Sequence, residues 1–203
     1  MPRIPLPGPE EMNPAQRRVH DAVVSGPRGT LIGPLRAAIH NPDLAERWSA
    51  LGEILRFRTS LPKRLSELAI LVTGRRWTSQ VEWWVHARAA AEAGLSPQAI
   101  EAMRQGKVPV FGHDEEALVY RFARALQQTG EVPRDVYDDA VARFGVAGVV
   151  ELTALIGYYT MVSMTLNAHE IPLPEGVKAP LEAPAHGGLH ELPELKTKSE
   201  GQS

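Results

Sequence analysis

The sequence predicts an all-α fold, and three observations carry that expectation. Apolar residues recur at spacings of three and four, as in Leu44, Trp48, Leu51, Ile54 and Leu55, which puts them along one side of a helix. Prolines preceded by capping side chains fall where helices would begin, and glycines fall where they would end. No segment shows a convincing strand pattern.

Taken in order, Asn13-Pro14 opens a helix over 14–24, with the asparagine at N-cap and the proline at the first helical position. A short helix follows over 34–40. Asn41-Pro42 then starts 42–57, which carries the stripe from Leu44 to Leu55. Leu65, Leu68, Ala69 and Val72 place a helix over 61–75, and Val81, Val85 and Ala89 another over 79–94, stopped by Gly94. Ser96-Pro97 opens 96–105, closed by Gly106. The GHDEE segment, 112–116, reads as a loop entering a helix over 114–128, its acidic side chains suited to the positive end of the helix dipole. Gly130 closes it. Two more helices are expected over 133–143 and 146–168. Residues 146–166 are apolar almost all round, but Glu151 and several threonines mark a core helix rather than a membrane span. Such a helix is expected to be central or to face another subunit.

The organisation that follows is an N-terminal arm and first helix over 1–30, a helical domain over 31–176, and a tail over 177–203. The tail is rich in Pro, Gly, Glu and Lys, which predicts loose order or an arm. With 203 residues, the chain is long enough for one domain with a real core. Its 22 Lys+Arg against 24 Asp+Glu leave no basic field to hold a nucleic acid. The N-terminal MPRIPLPGPEEMNP has prolines and charges where a secretory signal needs an apolar run, so a cytoplasmic protein with no membrane partner is expected. There is no cysteine. Disulfide scaffolds, thiolate zinc sites, cysteine nucleophiles and thiol peroxidases are excluded with it.

The densest chemical signal lies in 66–94. Ser79, Glu82, Trp83 and His86 fall within about a third of a turn of one helix. Glu82 and His86 are one turn apart, close enough for the carboxylate to orient the imidazole and raise its pKa. Ser79-x-x-Glu82 also has the spacing of a capping box, so Ser79 reads equally as a cap or as a substrate contact. His86 reads as a proton-transfer group or as a satisfied core histidine. Glu67, Glu82 and His86 could together ligate a divalent ion, but no second well-spaced histidine accompanies them, and no metal or cofactor is expected. Residues 56–76 are locally basic. Arg56, at the end of an amphipathic helix, is the candidate there for a substrate carboxylate.

The segment LPKRLSELAILVTGRRWTSQVEWWVHARAAAEAGLSPQAI resembles the core of the carboxymuconolactone decarboxylase and alkyl hydroperoxidase D-like superfamily. The resemblance extends softly over 31–176, through GPLRAAIHNPDLAERW before the core and GYYTMVSMTLNAHEIPLPEG after it. It implies an all-α bundle that assembles as a homotrimer or homohexamer. Glu67 and His86 match the glutamate and histidine of the peroxidase branch, while Ser79 and Glu82 stand at its two cysteine positions, so that chemistry does not carry over. The decarboxylase branch, which acts on small carboxylated lactones without a cofactor, has a glutamate one turn before the histidine, as Glu82 and His86 do. The resemblance also brings the end of the long apolar helix, with Asn167 and His169, toward the pocket; Tyr158 and Tyr159 share no local geometry with Asn167 and read as polar positions on a packed helix.

The function expected is a cofactor-independent lyase, decarboxylase or isomerase acting on a small anionic organic acid or lactone. His86 would be the general acid/base, Glu82 its orienting partner and Glu67 a second proton-handling carboxylate. Trp83 or Trp84 would form an apolar wall, and Ser79, Arg56, Asn167 and His169 would contact substrate. The alternatives are a ligand-binding oligomeric scaffold without catalysis, and a peroxidase-like member, which the lack of cysteine disfavours.

Overall fold

The computed structural model describes residues 1–195. Among these there are helices, turns and extended segments, and no strand. Helix α1 spans Pro14–Ser25, α2 Leu35–Ala38, α3 Pro42–Phe57, α4 Lys63–Arg76, α5 Gln80–Glu92, α6 Pro97–Arg104, α7 Asp114–Thr129 and α8 Arg134–Ala168. The all-α expectation therefore holds.

Two of the three expected proline-linked caps form as side-chain caps. The Asn13 side chain accepts from Gln16 N and that of Asn41 from Leu44 N. Ser96 makes no such bond; its hydroxyl goes to the Gln98 side chain instead, at 2.8 Å. Gly94, Gly106 and Gly130 all have positive φ just past helix ends, a conformation open to glycine at little cost. The two helices expected over 133–143 and 146–168 run on as α8, broken only at Gly145, whose φ of 70° and ψ of 170° are not helical.

Helix α4 is the centre of the bundle, not the more apolar α8. Every residue from Leu65 to Arg75 is buried, because α5, α7 and α8 all pack around this helix. Helix α8 is long and apolar enough to cross a membrane by composition. Here it lies against α4, α7 and α3, burying Leu152, Leu155, Ile156, Tyr159 and Leu166 and leaving Val146, Val150 and Met164 exposed.

The fold positions the site through the hairpin of α4 and α5. A tight turn at Trp77–Thr78, with Ser79 N donating to Gly74 O at 2.8 Å, reverses the chain. Glu67 stands ten residues before Trp77 and His86 nine after it, so at equal rise per residue the two meet at one level of the paired helices.

The tail departs from its expected looseness over its described part. Residues 177–195 form no helix or strand, yet side chains of the bundle pin their backbone. Gln80 exchanges two hydrogen bonds with Leu181, both 2.9 Å, and Arg76 exchanges backbone and side-chain bonds with His190. Tyr120 Oη donates to Pro193 O, and Leu181 and Leu192 are buried. Composition predicts no such order, because these bonds come from distant side chains satisfying an extended backbone. The rest of the expected tail, 196–203, lies outside the described residues.

Candidate active site

Three ionisable side chains form a row in the interior. His86 Nδ1 lies 2.6 Å from Glu67 Oε2 in a hydrogen bond, and His86 Nε2 lies 3.2 Å from Glu82 Oε2 as an ion pair. All three residues are buried. Burial alone would lower the imidazole pKa, but the bond to Glu67 and the contact with Glu82 outweigh it, and the value rises from 6.5 to about 9. At neutral pH the group is an imidazolium held between two carboxylates. Each nitrogen then carries a proton. Among the described residues, no group of three or more His, Asp or Glu side chains is arranged to hold a metal ion.

The closer partner of His86 is Glu67, from the neighbouring helix, rather than Glu82 one turn away as the spacing suggests. Glu82 Oε2 is buried, and its contact with the imidazolium at 3.2 Å is an ion pair whose geometry falls short of a hydrogen bond.

Glu82 and His86 open onto a pocket that encloses about 410 Å³ of atom-free space counted out to its mouth, most of it narrow. Arg28 and Arg56 line it with Tyr158 and Tyr159. The Tyr159 ring stands edge-on to the imidazole, with centroids 5.0 Å apart at 85°. Burial, together with the negative charge of Glu82, pushes the Tyr159 hydroxyl well above its ordinary pKa, so it stays neutral. Tyr158 packs edge-on to Tyr159 and accepts a hydrogen bond from Arg28 Nη2 at 3.3 Å.

Of the expected site residues, Glu82, His86 and Arg56 border this pocket, with Glu67 directly behind the imidazole. The others do not. Trp83 is buried in the core and Trp84 faces outward, so neither makes a pocket wall. One step along a helix turns a side chain by about 100°, which is enough to point adjacent tryptophans in different directions. Asn167 ties α8 to the α4–α5 turn, its Nδ2 donating to Trp77 O at 2.8 Å, and His169 caps the same helix. Both are outside the pocket lining. Ser79 sits at the N-cap position of α5, but its hydroxyl neither caps the helix nor reaches the pocket. The capping box does not form.

The Ser79 hydroxyl is in fact buried without a hydrogen bond. Ser79→Ala is therefore expected to leave stability unchanged or raise it by up to about 1 kcal/mol, since it removes an unsatisfied polar atom. A urea midpoint that falls by the amount of a lost cap would contradict this.

Arg28, Tyr158 and Tyr159 are the pocket residues that sequence reasoning missed as site residues. Their one signal was the paired tyrosines inside an otherwise apolar helix. Arg28 lies in a short Gly- and Pro-flanked segment between α1 and α2 with no local partner.

Residues 42–125 match the family model described as the carboxymuconolactone decarboxylase family. Over those residues the chain is similar to that family. Solved structures share the fold. A peroxidase-related protein with an alkylhydroperoxidase core from Ralstonia eutropha JMP134 superposes with a TM-score of 0.69 at 13% identity, covering 86% of this chain and 93% of that one. A peroxidase-related protein from Silicibacter sp. TM1040 gives 0.67 at 14% identity, covering 84% and 91%. The debrominase Bmp8, solved with 2,3,4-tribromopyrrole, gives 0.63 at 15% identity, covering 82% and 88%. No curated protein matches the chain significantly.

Proposed function

We propose that the protein is a cofactor-independent lyase, decarboxylase or isomerase that moves a proton on a small anionic organic acid or lactone. The observation that carries this reading is the buried Glu82 carboxylate at the pocket wall, ion-paired at 3.2 Å with the imidazolium but short of hydrogen-bond geometry with it. A substrate C–H or O–H group would meet this oxygen. Glu82 would accept the proton, while His86, oriented by Glu67, balances the charge and returns a proton to the product. Arg56 would face the substrate carboxylate, and the apolar Val81, Val85 and Val162 would limit water at the reacting centre. A peroxidase cycle lacks its thiolate here. We place the protein in the cytoplasm as a homotrimer or homohexamer, a reading supported by the exposed apolar side chains on α3 and α8, among them Leu51, Ile54, Val146 and Val150.

The test is solvent-proton exchange. Small unsaturated carboxylates, keto acids and carboxylated lactones are incubated with the protein in deuterium oxide and followed by NMR. Deuterium is expected to enter one compound beside its carbonyl, and Glu82→Gln is expected to slow this by about a hundredfold or more. Exchange in none of them, or equal exchange by the glutamine variant, would overturn the reading.

A further inference from the structure

We propose that Arg28, held by the Tyr158 hydroxyl in a notch left by Gly52, is the residue that makes this pocket select anionic ligands. The inference rests on the proposed function for the reaction, but its evidence is separate. Arg28 reaches the pocket wall from the segment between α1 and α2, which no sequence spacing connects to the site. Its Nη2 donates to Tyr158 Oη, and its buried Nε has no hydrogen-bond partner. No carboxylate pairs with it among the described residues, and Arg56, on the same wall, stacks on Phe57 and likewise has no carboxylate partner. Arg64, also half-buried, does have one, being bridged to both Glu115 and Glu116. Two half-buried guanidiniums left without an anion beside one small pocket point to an anion supplied by the ligand, since each can bind a carboxylate through matched donors.

The notch is specific. A Cβ built on Gly52 of α3 would stand 2.1 Å from Tyr158 Oη and 2.2 Å from Arg28 Nη2, so no other residue leaves room for the pair as it stands. Gly29 and Gly33, in the segment that carries Arg28, both adopt positive φ, and Gly33 and Pro34 form part of the pocket wall.

The test uses succinate and acetate as probes, with succinamide and acetamide as neutral controls, and reads binding by calorimetry and by ligand-observed NMR. The wild-type protein is expected to bind a carboxylate and not its amide. Arg28→Gln should weaken that binding roughly tenfold to a hundredfold, the range of a lost charge-assisted hydrogen bond. Arg28→Lys should recover part of it, because the charge returns without the fork. Gly52→Ala provides an independent arm. It leaves both Arg28 and Tyr158 in the chain and should weaken binding as Arg28→Gln does, with helical circular dichroism retained. Equal binding of amide and carboxylate, no carboxylate binding by the wild type, or unchanged binding in Arg28→Gln would each overturn the proposal. The exchange assay separates it from the proposed function: carboxylate binding that depends on Arg28 without any deuterium incorporation keeps this inference and sinks the proton-transfer reading.

Discussion

Replacing His86 by alanine is expected to cost about 3–5 kcal/mol of stability and, in the exchange assay, about two to four orders of magnitude in rate. The stability loss follows from what remains. Glu67 and Glu82 are both buried, and the imidazolium between them, at 2.6 and 3.2 Å, is their shared cation. Without it two carboxylates face one cavity, and the Glu67 oxygen loses its hydrogen bond as well. The rate loss follows from the same geometry, because no other cation is paired with Glu82 among the described residues. A double variant separates the two effects. His86→Gln with Glu67→Gln restores neutral hydrogen-bonding partners and should regain most of the stability while leaving the rate low. If His86→Ala unfolds at the wild-type urea concentration, the ion row does not stabilise the fold. If it also exchanges at the wild-type rate, the row does not perform the chemistry.

The legible part of this molecule is the part written locally. Asn13 and Asn41 act as caps because a cap needs only a backbone amide three residues on. Glu82 and His86 were found because one helical turn separates them. Glu67 was added by resemblance, and the α4–α5 hairpin explains why it outranks Glu82 as the partner of the imidazole. Periodicity failed where it had to choose between adjacent directions, putting Trp83 on the pocket side when it belongs to the core. It also ranked the helices by apolarity, which favoured α8 over α4 as the centre. Burial depends on how many neighbours pack around a helix, and an apolar face can instead be left exposed, as with Val146 and Val150. Arg28 could not be read at all. Its partner Tyr158 is 130 positions away, and the space it occupies exists because residue 52 has no side chain.

Two histidines give the pH dependence of stability opposite slopes on either side of neutrality. For His86 the folded pKa, about 9, lies above the unfolded value of 6.5. The folded state therefore binds the proton more tightly. Its contribution is fully present below about pH 6.5 and is lost as pH rises through 9. A shift of this size corresponds to about 3 kcal/mol. His190 works the other way. Burial, with the charges of Arg75 and Arg76 beside it, lowers its pKa, so its neutral form suits the folded state and stability falls as acid protonates it. The hydroxyls of Tyr158 and Tyr159 are both raised above 10, which keeps their titration out of the window between neutrality and pH 9.5. Urea unfolding of the wild type is thus expected to show a free energy that falls by about 3 kcal/mol between pH 6.5 and 9.5. His86→Gln, which cannot titrate, should lose most of that slope while retaining the acid-side decline. A wild-type curve that is flat up to pH 9.5 would mean that the imidazole is neutral in the folded state, and Glu67 would then be accepting an ordinary N–H bond rather than holding an imidazolium.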